Sequence, residues 1–198
     1  MTDASSRAAA PAEIVALIGA RCSGKTSVGR ELASRLGWPF LDLDEEIARE
    51  HARARRLAEP VAVGAVFAEL GEPAFRELEE RALAAALDQR GPLVLATGGG
   101  TIESARNRAA IARRTTCVWL RVTLEEMQRR LRADPAQRPS LTGRDPVEEL
   151  VVVVERREPL YADICEIELD CRGLRVPEIA RRVAERLGRR SSGGCGGP

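Results

Sequence analysis

Lysine is all but missing from this chain: of its 31 cationic side chains, 30 are arginine and one, Lys25, is lysine. Histidine occurs once, at His51, and the five cysteines (Cys22, Cys117, Cys165, Cys171, Cys195) include no C-x-x-C pair. That pattern argues against a Cys/His metal site, and reduced thiols in a cytoplasmic protein are the simplest account of it. Aromatic residues are 3% of the 198, which leaves little on which to stack nucleic-acid bases. No apolar run approaches the ~20 residues of a membrane span, and Met1 to Ala12 lack the apolar stretch of a signal peptide. There is no repeat at a solenoid period. Charge excess is missing too, since 31 cations against 30 anions leave a net charge of +1, unsuited to a general polyanion binder.

What is present is a globular composition, 44% hydrophobic and 31% charged, and a length that supports one full core. Ile14 to Ile18 is a short continuous apolar run, the mark of a strand buried on both faces. Phe40 to Asp42, Leu93 to Ala96, Cys117 to Leu120 and Glu166 to Asp170 are four more strand candidates. Helical stretches are predicted from Lys25 to Leu36 (closed by Gly37), over 44 to 57, 61 to 70 and 73 to 88, behind a capping box at Thr123 and Glu126, up to Tyr161, and from Pro177 to Leu187. The Val151 to Val154 run has strand propensity inside one of them. The pattern predicts an α/β fold, a five-stranded parallel sheet with helices on both faces and ligands at the carboxyl ends of its strands. Residues 1–12 are expected to be loose, 13–188 to form one domain with a mobile lid at about 133–146, and 189–198 to be a disordered glycine-rich tail.

Gly19-Ala20-Arg21-Cys22-Ser23-Gly24-Lys25-Thr26 matches G-x-x-x-x-G-K-[ST] between a buried strand and a helix, the context this pattern requires. Its backbone N–H groups and the helix N-terminus would hold nucleotide phosphates. Lys25 would reach the outer phosphates, and the Thr26 hydroxyl would join a magnesium shell. The second strand ends in Asp42-Leu43-Asp44, whose spacing puts both carboxylates on one face of an extended chain. One could anchor Mg2+ while the other faces an acceptor hydroxyl; equally, an Asp here could serve as a helix N-cap. Leu93 to Thr97 has no acidic residue, which leaves Asp42 as the candidate for the metal. Arg53, Arg55 and Arg56, with acids on both sides, read as a solvated helix face rather than a nucleic-acid patch.

Further along stand Gly71-Glu72-Pro73-Ala74-Phe75-Arg76, Gly98-Gly99-Gly100, Arg138-Pro139 and Arg157-Glu158-Pro159-Leu160-Tyr161. Together with the phosphate loop and Phe40-Leu41-Asp42-Leu43-Asp44, these six motifs in this order resemble the shikimate kinases over about residues 14 to 187. The resemblance implies a phosphate-loop kinase of the nucleoside-monophosphate-kinase type, with a small acceptor-binding helical region at about 44–90. It implies transfer of the γ-phosphoryl of MgATP to the 3-hydroxyl of shikimate, a step toward chorismate and the aromatic amino acids.

On this resemblance the loop from Gly19 to Ser27 binds nucleotide, Asp44 binds the acceptor hydroxyls and is the candidate base, and Arg76 and Arg157 grip the acceptor carboxylate. Gly98, Gly99 and Gly100 let backbone approach the ring closely, and Arg138 closes over the phosphates. Thr26 and Asp42 are the metal candidates. Adenine contacts are open among Arg130, Arg132, Arg172 and Arg175. A cytoplasmic monomer that acts on a small molecule, without nucleic acid or membrane, is expected.

The chain departs from the family pattern in two places. Cys22 stands where the pattern has glycine, and the cysteine is expected to keep to φ/ψ values suited to a residue with a Cβ and to be a reactive thiol shielded by nucleotide. The stretch from Ile47 to Phe67 is longer by roughly a helical turn or two, in the region expected to cover the acceptor. Two other readings compete. A gluconate-type small-molecule kinase of the same architecture is disfavoured because Arg76 and Arg157 fit the shikimate pattern at their own motifs, and a silent regulatory domain would be expected to lose Lys25, Asp44 or Arg138 and to carry a DNA-binding module, for which the thirteen residues before the first strand leave no room.

Overall fold

The computed structural model describes residues 13–133 and 146–193. Residues 1–12, most of the anticipated lid with Arg138, and 194–198 lie outside that description.

Five strands, β1 (Ile14–Ile18), β2 (Phe40–Asp42), β3 (Leu93–Ala96), β4 (Thr116–Arg121) and β5 (Ile167–Asp170), form one parallel sheet in the order β2-β3-β1-β4-β5. Ala16 pairs with Leu95 on one side and Cys117 on the other. The period of two sends Val15 and Leu17 into one hydrophobic core and Ile14, Ala16 and Ile18 into a second. Helices therefore cover both faces. Helix α1 (Lys25–Leu36) packs on α7 (Val176–Gly193) over the first core, while α2 (Leu43–Arg55), α3 (Val63–Leu87) and α4 (Ala105–Arg114) cover the second. Helices α5 (Leu124–Ala133) and α6 (Pro146–Ile164) complete the layers. Leu17, at 0% exposure on the central strand, anchors the first core, and its truncation to alanine would cost about 3 kcal/mol.

Strands β1, β2 and β3 and helix α1 have the bounds read from the sequence. Other elements differ. Helix α4 was not anticipated: Ile111 is its one large apolar residue, and its start is set by Ser104, whose hydroxyl accepts from Asn107 N. Val151 to Val154 are helical, because Leu150, Val154, Arg157 and Tyr161 recur at helical spacing and are buried. Helix α7 continues to Gly193, so residues 189–193 are helical rather than part of a disordered tail. The capping box is half formed: Glu126 N donates to Thr123 Oγ1 at 3.4 Å, but the Glu126 carboxylate accepts from Arg129 and Arg130 instead.

The two helical stretches expected around residues 61–88 join into α3, broken at Gly71 with φ 71° and ψ 166°. Only glycine adopts that conformation without strain. Pro73 follows in the first turn of the resumed helix, where a missing N–H leaves no bond unmade. The break redirects the chain so that Phe75 and Leu78 enter the second core while Arg76 faces the strand ends.

Candidate active site

Connections from β1 and β3 leave toward opposite faces of the sheet, and the crevice at their carboxyl ends is where such a fold takes ligands. A cavity of about 360 Å³ lies there. It brings together Arg21, Cys22, Gly24, Lys25, Thr26 and Ser27 of the phosphate loop, Asp42 and Asp44 after β2, Arg76 on α3, the Gly98-Gly99-Gly100 turn after β3, and Arg157 on α6. Of the other loop positions, Gly19 and Ala20 supply carbonyls to Lys25, and Ser23 is buried beneath it. Residues anticipated from five separated motifs thus share one cavity; Arg138, of the sixth, lies outside the described residues.

Lys25 is buried, and its ammonium donates to Gly19 O and Ala20 O at 2.9 Å and to Ser23 Oγ at 3.4 Å. Burial pushes its pKa down to about 8, aided by Arg157 and opposed by the charges of Asp44 and Asp42. The loop around it winds through Gly19 (φ 145°), Cys22 (φ 63°) and Gly24 (φ 91°). Cys22 therefore does not retreat to dihedrals comfortable for a Cβ, as the sequence suggested. The loop keeps a left-handed residue here, at a cost of about 1 kcal/mol.

Asp42 is 7% exposed and uses both carboxylate oxygens. Oδ2 accepts from Thr26 Oγ1 at 2.6 Å, and Oδ1 accepts from Asp44 N at 3.0 Å, capping α2. The cap and the tie to the phosphate loop are thus compatible in one residue. A hydroxyl and a carboxylate side by side at a phosphate loop are hard oxygen donors of the kind Mg2+ takes together with phosphate and water. Among the described residues no group of three or more His, Cys, Asp or Glu could hold a metal alone.

Part of the cavity lining is cationic. Arg157 is 6% exposed and its Nε is buried without a hydrogen-bond partner. A methyl group built on Gly100 would lie 2.9 Å from both terminal nitrogens of Arg76 and 3.0 Å from Nη2 of Arg157, so both guanidinium groups crowd this backbone. At Gly98 the same methyl would lie 2.8 Å from Asp44 Oδ1, and at Gly99 it would lie 3.2 Å from Arg21 N. A Cβ on any of the three glycines would press on the acid, the loop or the arginines, which all close on this turn. Arg130 Nη1 donates to Cys22 O at 3.0 Å, whereas Arg172 and Arg175 pair with nearby Asp170 and Glu178 on exposed surface. Of the four arginines left open for adenine, Arg130 is the one seated against the loop.

The shikimate kinase family model matches residues 21–188. The chain belongs to the shikimate kinase family. It is 45% identical over 153 residues to a shikimate kinase of Caulobacter vibrioides, covering 77% of this chain and 71% of that one. A shikimate kinase of Moorella thermoacetica is 40% identical over 177 residues, 89% of this chain and 95% of the other. Among solved structures, shikimate kinase from Acinetobacter baumannii in complex with shikimate superposes with a TM-score of 0.80 at 30% identity, covering 90% of this chain and 94% of that chain. A gluconokinase from Sinorhizobium meliloti, with a TM-score of 0.57 and 21% identity over 91% and 98% of the two chains, shares the fold alone. The chain is accordingly an ATP-dependent kinase of the phosphate-loop class, and no helix among its described residues is long and apolar enough to cross a membrane.

Other residues of this shikimate kinase site were assigned nothing from sequence, although one of them, Tyr161, closes the motif that begins at Arg157. Glu79, 2% exposed, accepts from Arg76 Nη1 at 2.8 Å and from Thr101 Oγ1 at 2.8 Å, which ties the arginine to the turn after β3. Its signal was available, three residues beyond Arg76 on one helix. Tyr161 donates to Gly99 O at 2.6 Å, and burial pushes its phenol well above the usual range. Glu103 contacts both Arg76 and Arg157 across long sequence separations, for which the sequence held no signal.

Proposed function

We propose that this enzyme transfers the γ-phosphoryl group of ATP to the 3-hydroxyl of shikimate, giving shikimate 3-phosphate and ADP. The observation that carries this reading is the convergence of Arg76 and Arg157 on Gly100, in the same cavity as the phosphate loop and with Asp44 at Gly98. A planar fork from each arginine suits a carboxylate on one end of the acceptor, and an acid at the other end suits a hydroxyl that must lose its proton.

In this reading Lys25 releases the loop carbonyls and turns its ammonium to the outer phosphates, while the loop N–H groups hold the rest. Thr26 and Asp42 would hold Mg2+, which when bound supplies charge neutralisation on the phosphates. Asp44 orients the acceptor hydroxyl and takes its proton on a carboxylate oxygen as the oxygen attacks phosphorus. Arg76 and Arg157 fix the acceptor's other end, so the attacking oxygen is held in line. Arg130 is proposed to flank the base of the nucleotide, and Arg138 to close over the phosphates and exclude water.

We place the enzyme in the cytoplasm, in keeping with the free thiols of Cys22, Cys117, Cys165 and Cys171. It is further proposed to act as a monomer on a small molecule, without nucleic acid or membrane. Coupled ADP release measured with shikimate, with gluconate and without acceptor tests the reading. A signal that depends on shikimate is expected, and equal rates in all three arms would overturn it.

A further inference from the structure

Glu103 closes the short 3-10 turn Thr101–Glu103 behind the triple glycine, held there by its N–H donating to Gly100 O at 2.9 Å. Its Oε2 accepts from Arg76 Nη2 and from Arg157 Nη2, each at 2.9 Å. Its Oε1 accepts from Arg156, whose side chain is 63% exposed on the rim. One protein carboxylate therefore already sits on two guanidinium groups that also line the acceptor cavity.

The two acids on Arg76 differ in kind. Glu79 is almost wholly buried, tied to Thr101, and lines the cavity beside Arg76. Glu103 is a fifth exposed and meets the nitrogens that crowd Gly100. Two carboxylates cannot share the same pair of donors without like-charge repulsion. The clamp is also not saturated, since Arg157 Nε is buried without a partner. Partial burial pushes the Glu103 carboxyl up, but Arg157, then Arg156 and Arg76, outweigh this and hold it below the usual range, so it is an anion near neutral pH.

We propose that Glu103 is an internal competitor for the acceptor's carboxylate and thereby sets acceptor affinity and selectivity, with Arg156 as the partner to which it retreats. This rests on the reading of Arg76 and Arg157 as the carboxylate clamp. Because Oε1 already lies on Arg156, a side-chain rotation that frees Oε2 keeps one charged contact and leaves both Nη2 groups for the acceptor. A small anion that engages nothing else gains too little to displace Glu103. An acceptor that also reaches Asp44 and the triple glycine does displace it, which filters acceptors by more than their charge.

Apparent affinity is the intrinsic affinity reduced by the fraction of molecules whose clamp is open. If Glu103 closes the clamp about four-fifths of the time, its removal tightens binding about fivefold. Calorimetric titration with shikimate of wild type, Glu103→Gln, Glu103→Asp, Arg156→Gln, the Glu103→Gln/Arg156→Gln double variant and Arg76→Ala tests this. Glu103→Gln and the shorter Glu103→Asp are expected to lower the dissociation constant about fivefold, and Arg156→Gln to raise it, because the competitor has lost its retreat. In the double variant the Arg156 effect should vanish. A raised dissociation constant in Glu103→Gln would overturn the proposal, showing that Glu103 holds the arginines in place for the acceptor; an Arg156→Gln effect that persists in the double variant would remove Arg156 from it. Unchanged binding in Arg76→Ala would instead overturn the clamp reading beneath it.

Discussion

Thr26 donates its hydroxyl hydrogen to Asp42 across 2.6 Å, joining the first turn of α1 to the end of β2. Because the other Asp42 oxygen caps α2, one carboxylate links the phosphate loop to the helix that begins beside Asp44. Asp42→Asn keeps an oxygen for one of these bonds but loses the charge. The Mg2+ concentration for half-maximal rate is expected to rise about tenfold, on the scale of 1.4 kcal/mol. Asp42→Ala should in addition lower stability by about 1 kcal/mol through loss of the cap. Rates measured across a magnesium series, alongside thermal melts, check both; an unaltered magnesium requirement would remove Asp42 from the metal shell.

Lys25 sits near pKa 8 without ligand because it is buried. Phosphates on its ammonium favour the charged form, so nucleotide must raise that pKa, and complex formation takes up protons at pH values near and above the free-state value. At pH 8 about half a proton per ADP is expected. Calorimetry in buffers of different ionisation enthalpy reads this directly. The uptake should fade toward pH 6.5, where the lysine is already charged, and heats independent of buffer at pH 8 would contradict the assignment. Lys25→Arg should lose most activity despite its charge, since a guanidinium is wider than the space among Gly19, Ala20 and Ser23.

Asp44→Asn removes the proposed proton acceptor and leaves side-chain size unchanged. kcat should fall by about 10²- to 10⁴-fold while ADP binding is retained. Gly98→Ala should be comparably harmful for a steric reason, since its Cβ would lie 2.8 Å from Asp44 Oδ1. Steady-state kinetics paired with ADP titration separate these losses from a damaged nucleotide site.

Cys22→Gly relieves a left-handed residue with a Cβ. A gain of about 1 kcal/mol, or roughly 2–4 °C in Tm, is expected. Alkylation of Cys22 in the wild type should slow when MgADP covers the loop. Equal labelling rates with and without nucleotide would show that the thiol lies outside the phosphate cradle.

β1, β3 and α1 were legible because their signals are local: apolar runs of five and four residues, a glycine loop and a closing Gly37. Helix α4 was not, since Ala105–Arg114 offers a single large apolar side chain and its evidence is one capping serine. The site was legible wherever a residue sits in a motif, as with Lys25, Asp44, Arg76 and Arg157. It was illegible where a role arises from folding, as for Glu103, which meets arginines 27 and 54 positions away. Asp42 fell between the two, because spacing offered both a cap and a metal ligand and only the fold showed one carboxylate serving α2 and Thr26 together.

Arg157 and Tyr161 are one helical turn apart on α6, and Tyr161 is fastened to the carbonyl of Gly99. The tyrosine therefore sets the rotational phase of the arginine. A residue inserted between them would turn Arg157 by about 100° about the helix axis and aim its guanidinium away from Gly100, whereas one inserted after Tyr161 would leave that phase untouched. Tolerance of length changes along α6 should thus drop sharply over this single turn, and the four-residue spacing, more than the identity of Glu158, Pro159 or Leu160, is what descent must keep.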